Sequence, residues 1–521
     1  MIKQVELKIY PKYINDYDYQ KIYAAKKLGV AVEDIQQIQV IRRTIDARQK
    51  LPFYQIRYSV YIDEMPPKKD LPFKPKDVSK SKLAVIIGSG PSGLFSALKL
   101  IELGIRPIIF ERGNDVRKRR RDLKSIQQFG IVNPHSNYCF GEGGAGTYSD
   151  GKLYTRATKR GDVSRILSLF VQFGAAPEIE IDAHPHIGSN KLPNIIEQIR
   201  AAIIECGGEV HFNSPLTDVI ISNKKIKAIV INNQFEFPVS ALILATGHSA
   251  RDIYYILHKQ GVKLEKKEFA VGVRIEHPQK LIDEIQYHSP QRDPNLPPSS
   301  YSISCQIDER GVYSFCMCPG GIIVPASTSN SELVLNGMSV SRRNSPFANS
   351  GIVTTVDESM LIDFNNYGVF SGIEFQKSIE NYCFNIANKT QQAPAQRVTD
   401  FINNKTSSTL GKTSYIPGIF SAPLHEILPE GIVSRLQKSL MVFDKKMHGY
   451  LTEEAHLLAP ETRTSSPIRI PRDKETFMHI EVEGLFPTGE GAGYAGGIVS
   501  AALDGENAAE KVSKFFSRVS T

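Results

Sequence analysis

The chain has 521 residues, 41% of them hydrophobic and 23% charged, with a formal net charge of +8. These values are ordinary for a soluble globular protein of two to four domains. No run of about 18 apolar residues appears, which excludes a membrane-spanning helix, and six cysteines in this length exclude a disulfide scaffold.

Met1-Ile2-Lys3-Gln4-Val5-Glu6 lacks an apolar signal-peptide core, so a cytoplasmic, reduced protein is expected. Residues 1–66 read as a small α+β module. Val5 to Tyr10 alternates like a strand, Asp18 to Leu28 has helical spacing, and Ile38–Arg43 and Gln55–Ile62 read as two more strands. This β-α-β-β order suggests a ferredoxin-like unit. Arg42, Arg43, Asp46, Ala47 and Arg48 give it a basic edge, read either as a solvated turn or as a grip on an anionic partner. Residues 67–82, opening Pro67-Lys68-Lys69-Asp70, have the composition of a linker.

The next domain begins with the apolar strand Leu83-Ala84-Val85-Ile86-Ile87 and runs at once into Gly88-Ser89-Gly90-Pro91-Ser92-Gly93. A helical stretch, Leu94–Leu103, follows. A second strand, Pro107–Phe110, then closes on Glu111 and Arg112. The parts have separate tasks: Gly88 permits a tight turn, Gly90 lets backbone approach a pyrophosphate, and Gly93 lets helix and strand pack closely. The helix N-terminus offers free N–H groups to phosphate. Glu111, 23 positions after Gly88, stands where a carboxylate binds ribose hydroxyls. The order strand, glycines, helix, strand, acid is far more specific than a lone glycine motif.

Three later segments favour FAD over NAD. Gly141-Glu142-Gly143-Gly144-Ala145-Gly146-Thr147 is glycine-rich enough to pass close to a cofactor, so Gly143, Gly144, Gly146 and Thr147 are candidate contacts. The strand Val239–Leu244 ends in Ala245-Thr246-Gly247, as in flavoproteins where the chain returns to the FAD sheet. Near the C-terminus, Gly489-Glu490-Gly491 and the glycine-led helix opening at Gly497-Ile498 resemble the motif that holds the ribityl chain and ring. Glu490 replaces the usual Asp there.

The combination resembles the glutathione-reductase-like FAD-binding superfamily and, more closely, a largely uncharacterised family of bacterial FAD-dependent dehydrogenases. Further strings carry the likeness: Ile41–Arg48, Ser136–Phe140, Gly272–Pro278, Ser314–Gly321, Asn336–Ser339 and Arg463–Pro467. The resemblance implies an α/β architecture. A Rossmann-type FAD domain (83–270 and 467–521) would carry an inserted α+β or β-sheet substrate domain (271–466) and the N-terminal module. It implies an FAD-dependent oxidoreductase acting on a small organic molecule, and leaves the substrate and oligomeric state open. No second Gly-x-Gly-x-x-Gly follows a strand, so NAD(P)H would serve only as a transient reductant.

Candidate catalytic residues lie in the insert. Cys316 and Cys318 would share one strand face and meet flavin or substrate, as redox thiols or as packed cysteines. His277 could move a proton. Arg274, Arg463 and Ser465 could hold a substrate anion. No metal site is expected. Arg117–Arg121 reads as a solvated helix start from which one arginine could reach the cofactor. Nucleic-acid binding is not expected, because no aromatic residues interleave with the basic run. A flavin monooxygenase and an RNA-associated flavoprotein using the N-terminal module are the alternative readings.

Overall fold

The structure, a computed structural model, describes residues 1–67, 70–155 and 157–519. Lys68 and Lys69 of the expected linker lie outside them.

The N-terminal unit consists of β1 (Ile2–Ile9), α1 (Tyr17–Leu28), β2 (Ile35–Asp46) and β3 (Phe53–Ile62), its strands antiparallel in the order β1-β3-β2. Alternation decides which face is buried: Val5, Leu7 and Ile9 turn inward with Ile56, Tyr58 and Val60. Asp16 caps α1 by accepting from the Tyr19 N–H at 2.9 Å, and Gly29 ends it at φ +67°. Residues 1–62 contribute three strands and one α-helix to this unit, in the order β-α-β-β, and the chain leaves the sheet after β3. The basic edge is partly committed. The Arg43 N–H donates to the Ile181 carbonyl at 2.8 Å, and the Ala183 N–H donates back to the Arg43 carbonyl at 3.0 Å. The Arg43 guanidinium pairs with Asp182 at 2.7 Å.

The stretch after β3 is not a free linker. Phe73 and Val78 are buried in the core of the next unit. The Val78 N–H bonds the Cys206 carbonyl at 2.8 Å, and Phe73 bonds Gln172 at 2.9 Å. Two apolar side chains in a proline-rich coil suffice to anchor it, at roughly 1.5–3 kcal/mol for each large side chain fully buried.

Beyond it come β4 (Leu83–Ile87), α2 (Pro91–Glu102), β5 (Arg106–Phe110), α3 (Val116–Phe129), β6 (Glu209–His211) and β7 (Leu242–Leu244). The chain then builds a second sheet with β8 (Ala270–Pro278), β9 (Arg310–Cys318), β10 (Phe347–Thr355), α4 (Ser371–Ile386), β11 (Ala393–Arg397) and β12 (His456–Glu461). It returns through β13 (Leu485–Pro487) and ends in α5 (Ile498–Val519).

The first sheet is parallel, in the order β13-β7-β4-β5-β6. Its central strands are nearly unbroken apolar runs because both faces are covered, one by helices and the other mainly by a three-stranded antiparallel sheet of residues 216–238. Against one of those faces α2 and α5 cross closely, with Ser96 Oγ donating to the Gly505 carbonyl at 2.9 Å. The second sheet has seven strands. Its centre runs β9-β10-β8-β12-β11, antiparallel throughout.

A buried charge cluster joins the two sheets. Glu380 on α4 lies between Arg251, at 2.7 Å, and Arg463, at 3.0 Å. Burial alone would raise the Glu380 carboxyl, but the two guanidinium groups outweigh that and hold it at about 2. Its stabilising contribution is therefore complete above the ordinary value of 4.5 and is lost as pH falls toward 2. Glu380→Ala would leave two buried cations short of a partner. We expect it to destabilise the protein by about 3–5 kcal/mol and to flatten the acid limb of a stability-versus-pH curve measured by urea unfolding. An unchanged acid limb would contradict this account.

Candidate functional site

The carboxyl ends of β4, β7 and β13 lie side by side, where ligands bind in open α/β sheets. Three of the glycine segments converge there. Gly88 makes its turn at φ +99°, and a Cβ on it would stand 2.5 Å from the Ala245 carbonyl oxygen. A Cβ on Gly93 would lie 2.0 Å from the Gly88 oxygen, so the turn closes only with glycine at that helix position. Gly491 packs in the same way on the Gly247 backbone, at 2.6 Å.

The N-terminus of α2 is prepared for an anion. Gly90 occupies the cap position without any side-chain bond to the helix N–H groups, and Pro91 follows it. The buried Ser92 hydroxyl has no partner. The Gly141 loop folds over this terminus: the Gly143 N–H bonds the Ser89 carbonyl at 2.9 Å. Gly144 approaches Gly90, and Gly146 packs on the Ile498 side chain at the start of α5. At Gly247, Gly496 and Gly497 nothing lies within 4 Å of where a Cβ would stand. An uncapped helix end, an orphaned hydroxyl and a glycine-lined hollow fit a dinucleotide whose pyrophosphate meets α2 and whose flavin end lies toward Gly497.

One residue holds the Gly141 loop. Arg119 is fully buried, and its guanidinium donates to five carbonyls. Nε reaches Asn137 at 2.9 Å. One terminal nitrogen reaches Gly141 at 3.3 Å, Glu142 at 2.7 Å and Gly144 at 2.8 Å; the other reaches Tyr138 at 3.1 Å. The basic run is thus not wholly solvated, since Arg119 turns inward from α3.

Several expected contacts are otherwise employed. The Glu111 carboxylate accepts from the Ser89 N–H and hydroxyl, both at 2.8 Å, and from the N–H groups of Gly113 at 2.9 Å and Gly141 at 3.0 Å. A carboxylate has about four acceptor positions, so a ribose hydroxyl would have to displace one of these donors. Arg112 forms a bidentate pair with Asp252, at 3.0 and 2.8 Å. The Thr147 hydroxyl donates within its own loop, to the Glu142 carbonyl at 3.2 Å. Glu490 accepts from the Gly497 N–H through one oxygen, and its other oxygen lies 3.7 Å from His248 Nε2.

In the insert the expectations need correction. His277 is fully buried inside the second sheet, its Nε2 2.9 Å from the Tyr450 carbonyl. Burial first of all pushes its pKa down to about 4; it stands as a neutral core residue away from the sheet edge. Arg274 is fully buried and bonds Glu461 at 3.1 Å, Asn349 at 2.9 Å and the Cys316 carbonyl at 2.7 Å. Arg463 is spent on Glu380, on Glu332 at 2.7 Å and on Thr328 at 2.8 Å, so neither arginine is a free anion grip. Ser465 is half-buried in the Arg463 loop.

The two cysteines do not share a face. The β9–β10 register shifts between Phe315 and Cys318, and Cys316 takes φ +44°, an unusual value for a side-chain-bearing residue. Cys318 is buried, whereas Cys316 is exposed. Protein still crowds the Cys316 thiol, and this burial pushes it up, with Lys152 opposing. Lys152 donates to the Met317 carbonyl next to it.

Sequence reasoning missed Arg119, Lys152, Arg251 and His248. The last had a signal, since it directly follows Ala245-Thr246-Gly247.

Comparisons with known proteins support FAD as the cofactor. Residues 268–464 match a family described as FAD-dependent protein, C-terminal domain-like, and residues 1–61 match a domain of unknown function. An uncharacterized protein of Clostridium beijerinckii is 40% identical over 512 residues, covering 94% of this chain and 95% of its own length. A thiamine thiazole synthase of Aeropyrum pernix is 25% identical over 151 residues, 28% of this chain and 43% of that one. Among solved structures, a geranylgeranyl bacteriochlorophyll reductase-like protein of Thermoplasma acidophilum covers 84% of this chain and 79% of its own, at 12% identity and a TM-score of 0.36. That likeness is too loose to transfer a reaction.

Arg119→Met would remove all five carbonyl bonds while keeping much of the volume. The Gly141, Glu142 and Gly144 carbonyls keep a second donor within the loop, whereas those of Asn137 and Tyr138 lose theirs, at about 1–3 kcal/mol for each buried carbonyl left unpaired. The expected result is a loss of about 3–5 kcal/mol, read by thermal unfolding, and FAD affinity lowered at least tenfold, read by flavin fluorescence. Unaltered FAD affinity in a folded variant would refute the role given to Arg119.

Proposed function

The chain belongs to a family of FAD-dependent proteins and uses FAD as its cofactor; from that premise we propose an FAD-dependent oxidoreductase acting on a small organic substrate. The observation that carries the reading is the convergence of Gly88–Gly93, Ala245–Gly247 and Gly489–Gly491 at the carboxyl ends of β4, β7 and β13. FAD, when bound, supplies hydride or electron transfer. The protein binds, orients and shields: α2 meets the pyrophosphate, and the Gly141 loop covers it under the hold of Arg119. Cys316, on β9, and Lys152, which donates to the adjacent Met317 carbonyl, are our candidates for the side at which substrate enters.

The finer parts of the proposal are a dehydrogenase-type reaction, a place in the glutathione-reductase-like superfamily, NAD(P)H as a transient reductant and a cytoplasmic location. Among the described residues, no helix is long and apolar enough to cross a membrane. One nucleotide-binding sheet, with the remaining large sheet antiparallel at its centre, favours a nicotinamide that visits the ring over one held in its own domain.

Purified protein is expected to carry or take up FAD at about one per chain. Anaerobic mixing with NADH and, separately, NADPH is expected to bleach the flavin band. Gly93→Val, which drives a side chain into the Gly88 carbonyl, should abolish FAD uptake. Wild-type protein that neither retains nor takes up FAD would overturn the proposal. FAD that stays oxidised with both nucleotides would remove NAD(P)H from it.

A further inference from the structure

His248 sits where three parts of the chain meet. It follows Gly247 beyond the end of β7, and Glu490 Oε2 faces its Nε2 at 3.7 Å. Glu490 is itself anchored by the Gly497 N–H at the start of α5. Three cations bear on the imidazole: Arg463 from the loop after β12, Arg251 from the helix that follows His248, and Lys267 from the segment before β8. The first two are tied to Glu380, and Arg463 also to Glu332. Cys139, whose thiol points to the Ala326 carbonyl at 3.6 Å, lies under the same arginine. The imidazole keeps 16% of its side-chain surface open to solvent, so protons can reach it.

We infer that His248 takes up a proton when the bound flavin accepts electrons, and that Glu490 positions its ring for this. The inference rests on the FAD reading above, which puts the flavin end against the Gly247, Glu490 and Gly497 backbone. Burial first, and then Arg463, Arg251 and Lys267, hold the resting imidazole neutral, at about 4. Two electrons and one proton delivered to oxidised flavin leave the ring with a negative charge. An anion nearby favours a charged imidazole, so a second proton moves from solvent to His248. Reoxidation returns both protons. The electron donor in the test is dithionite.

The experiment is a potentiometric titration of the full-length, FAD-loaded protein between about pH 5 and about pH 9, the range in which histidine switches. Each proton taken up with two electrons moves the equilibrium tenfold per pH unit, which is about 30 mV. Wild type is expected to follow about 60 mV per pH unit in acid and to bend to about 30 mV above the His248 transition. His248→Gln should follow about 30 mV throughout, and Glu490→Gln should displace the bend without removing it. Identical bends in wild type and His248→Gln would overturn the inference. Should His248→Gln not hold FAD, ¹⁵N-histidine spectra of the wild type read the same event. One of the twelve imidazoles becoming protonated on reduction near neutral pH supports the inference, and none changing overturns it. Wild-type protein without FAD would instead defeat the FAD reading, a separate result.

Discussion

The Gly141 loop folds over the N-terminus of α2, and its carbonyls are held by one buried cation that has no carboxylate partner among the described residues. Arg119 distributes its charge over five carbonyls of residues 137–144. A guanidinium suits this work because its planar fork stays charged even when burial disfavours it. The carbonyls of Asn137 and Tyr138 take their bonds from this guanidinium alone among the described residues, so charge and loop stabilise each other. On that path the loop meets the dinucleotide turn and α5: Gly143 on Ser89, Gly144 against Gly90, Gly146 on Ile498.

Glu111 works on the same loop from the other side. Its carboxylate binds the N–H groups of Ser89, Gly113 and Gly141, while Arg119 binds the carbonyls. The dinucleotide turn and its cover are thus pinned by one anion and one cation, neither exposed. This explains why an acid at the end of β5 is needed here for architecture as well as for any ribose.

Legibility of the chain followed the range of the interactions. Strand alternation and helical spacing located β1, α1, β2 and β3, which bury one face by local pattern, and a short apolar run before the glycines located β4. The glycine segments were readable because close backbone approach leaves no other residue type. Long-range electrostatics left no such trace. Arg119 looked like one member of a solvated basic run, and the Arg251–Glu380–Arg463 cluster joins positions far apart in the chain. His277 and Arg274 stood in a string specific enough to suggest chemistry, yet their strand lies in the middle of the second sheet, where polar groups serve packing. The bulge before Cys318 broke the alternation on which the shared cysteine face depended.

The docking of β2 onto residues 181–183 reaches further than the N-terminal unit itself. The Arg43–Asp182 pairing continues into the segment whose Pro185 carbonyl accepts from the Leu153 N–H at 2.9 Å, and whose Ile187 N–H reaches the Gly151 carbonyl at 3.1 Å. Lys152 lies between those two anchors, beside the Cys316 turn. The module is therefore joined by backbone bonds to the segment that pairs with residues 151–153. A chain trimmed of its first 66 residues would keep every glycine of the dinucleotide site and still lose the Arg43 bonds on which residues 181–183 rest.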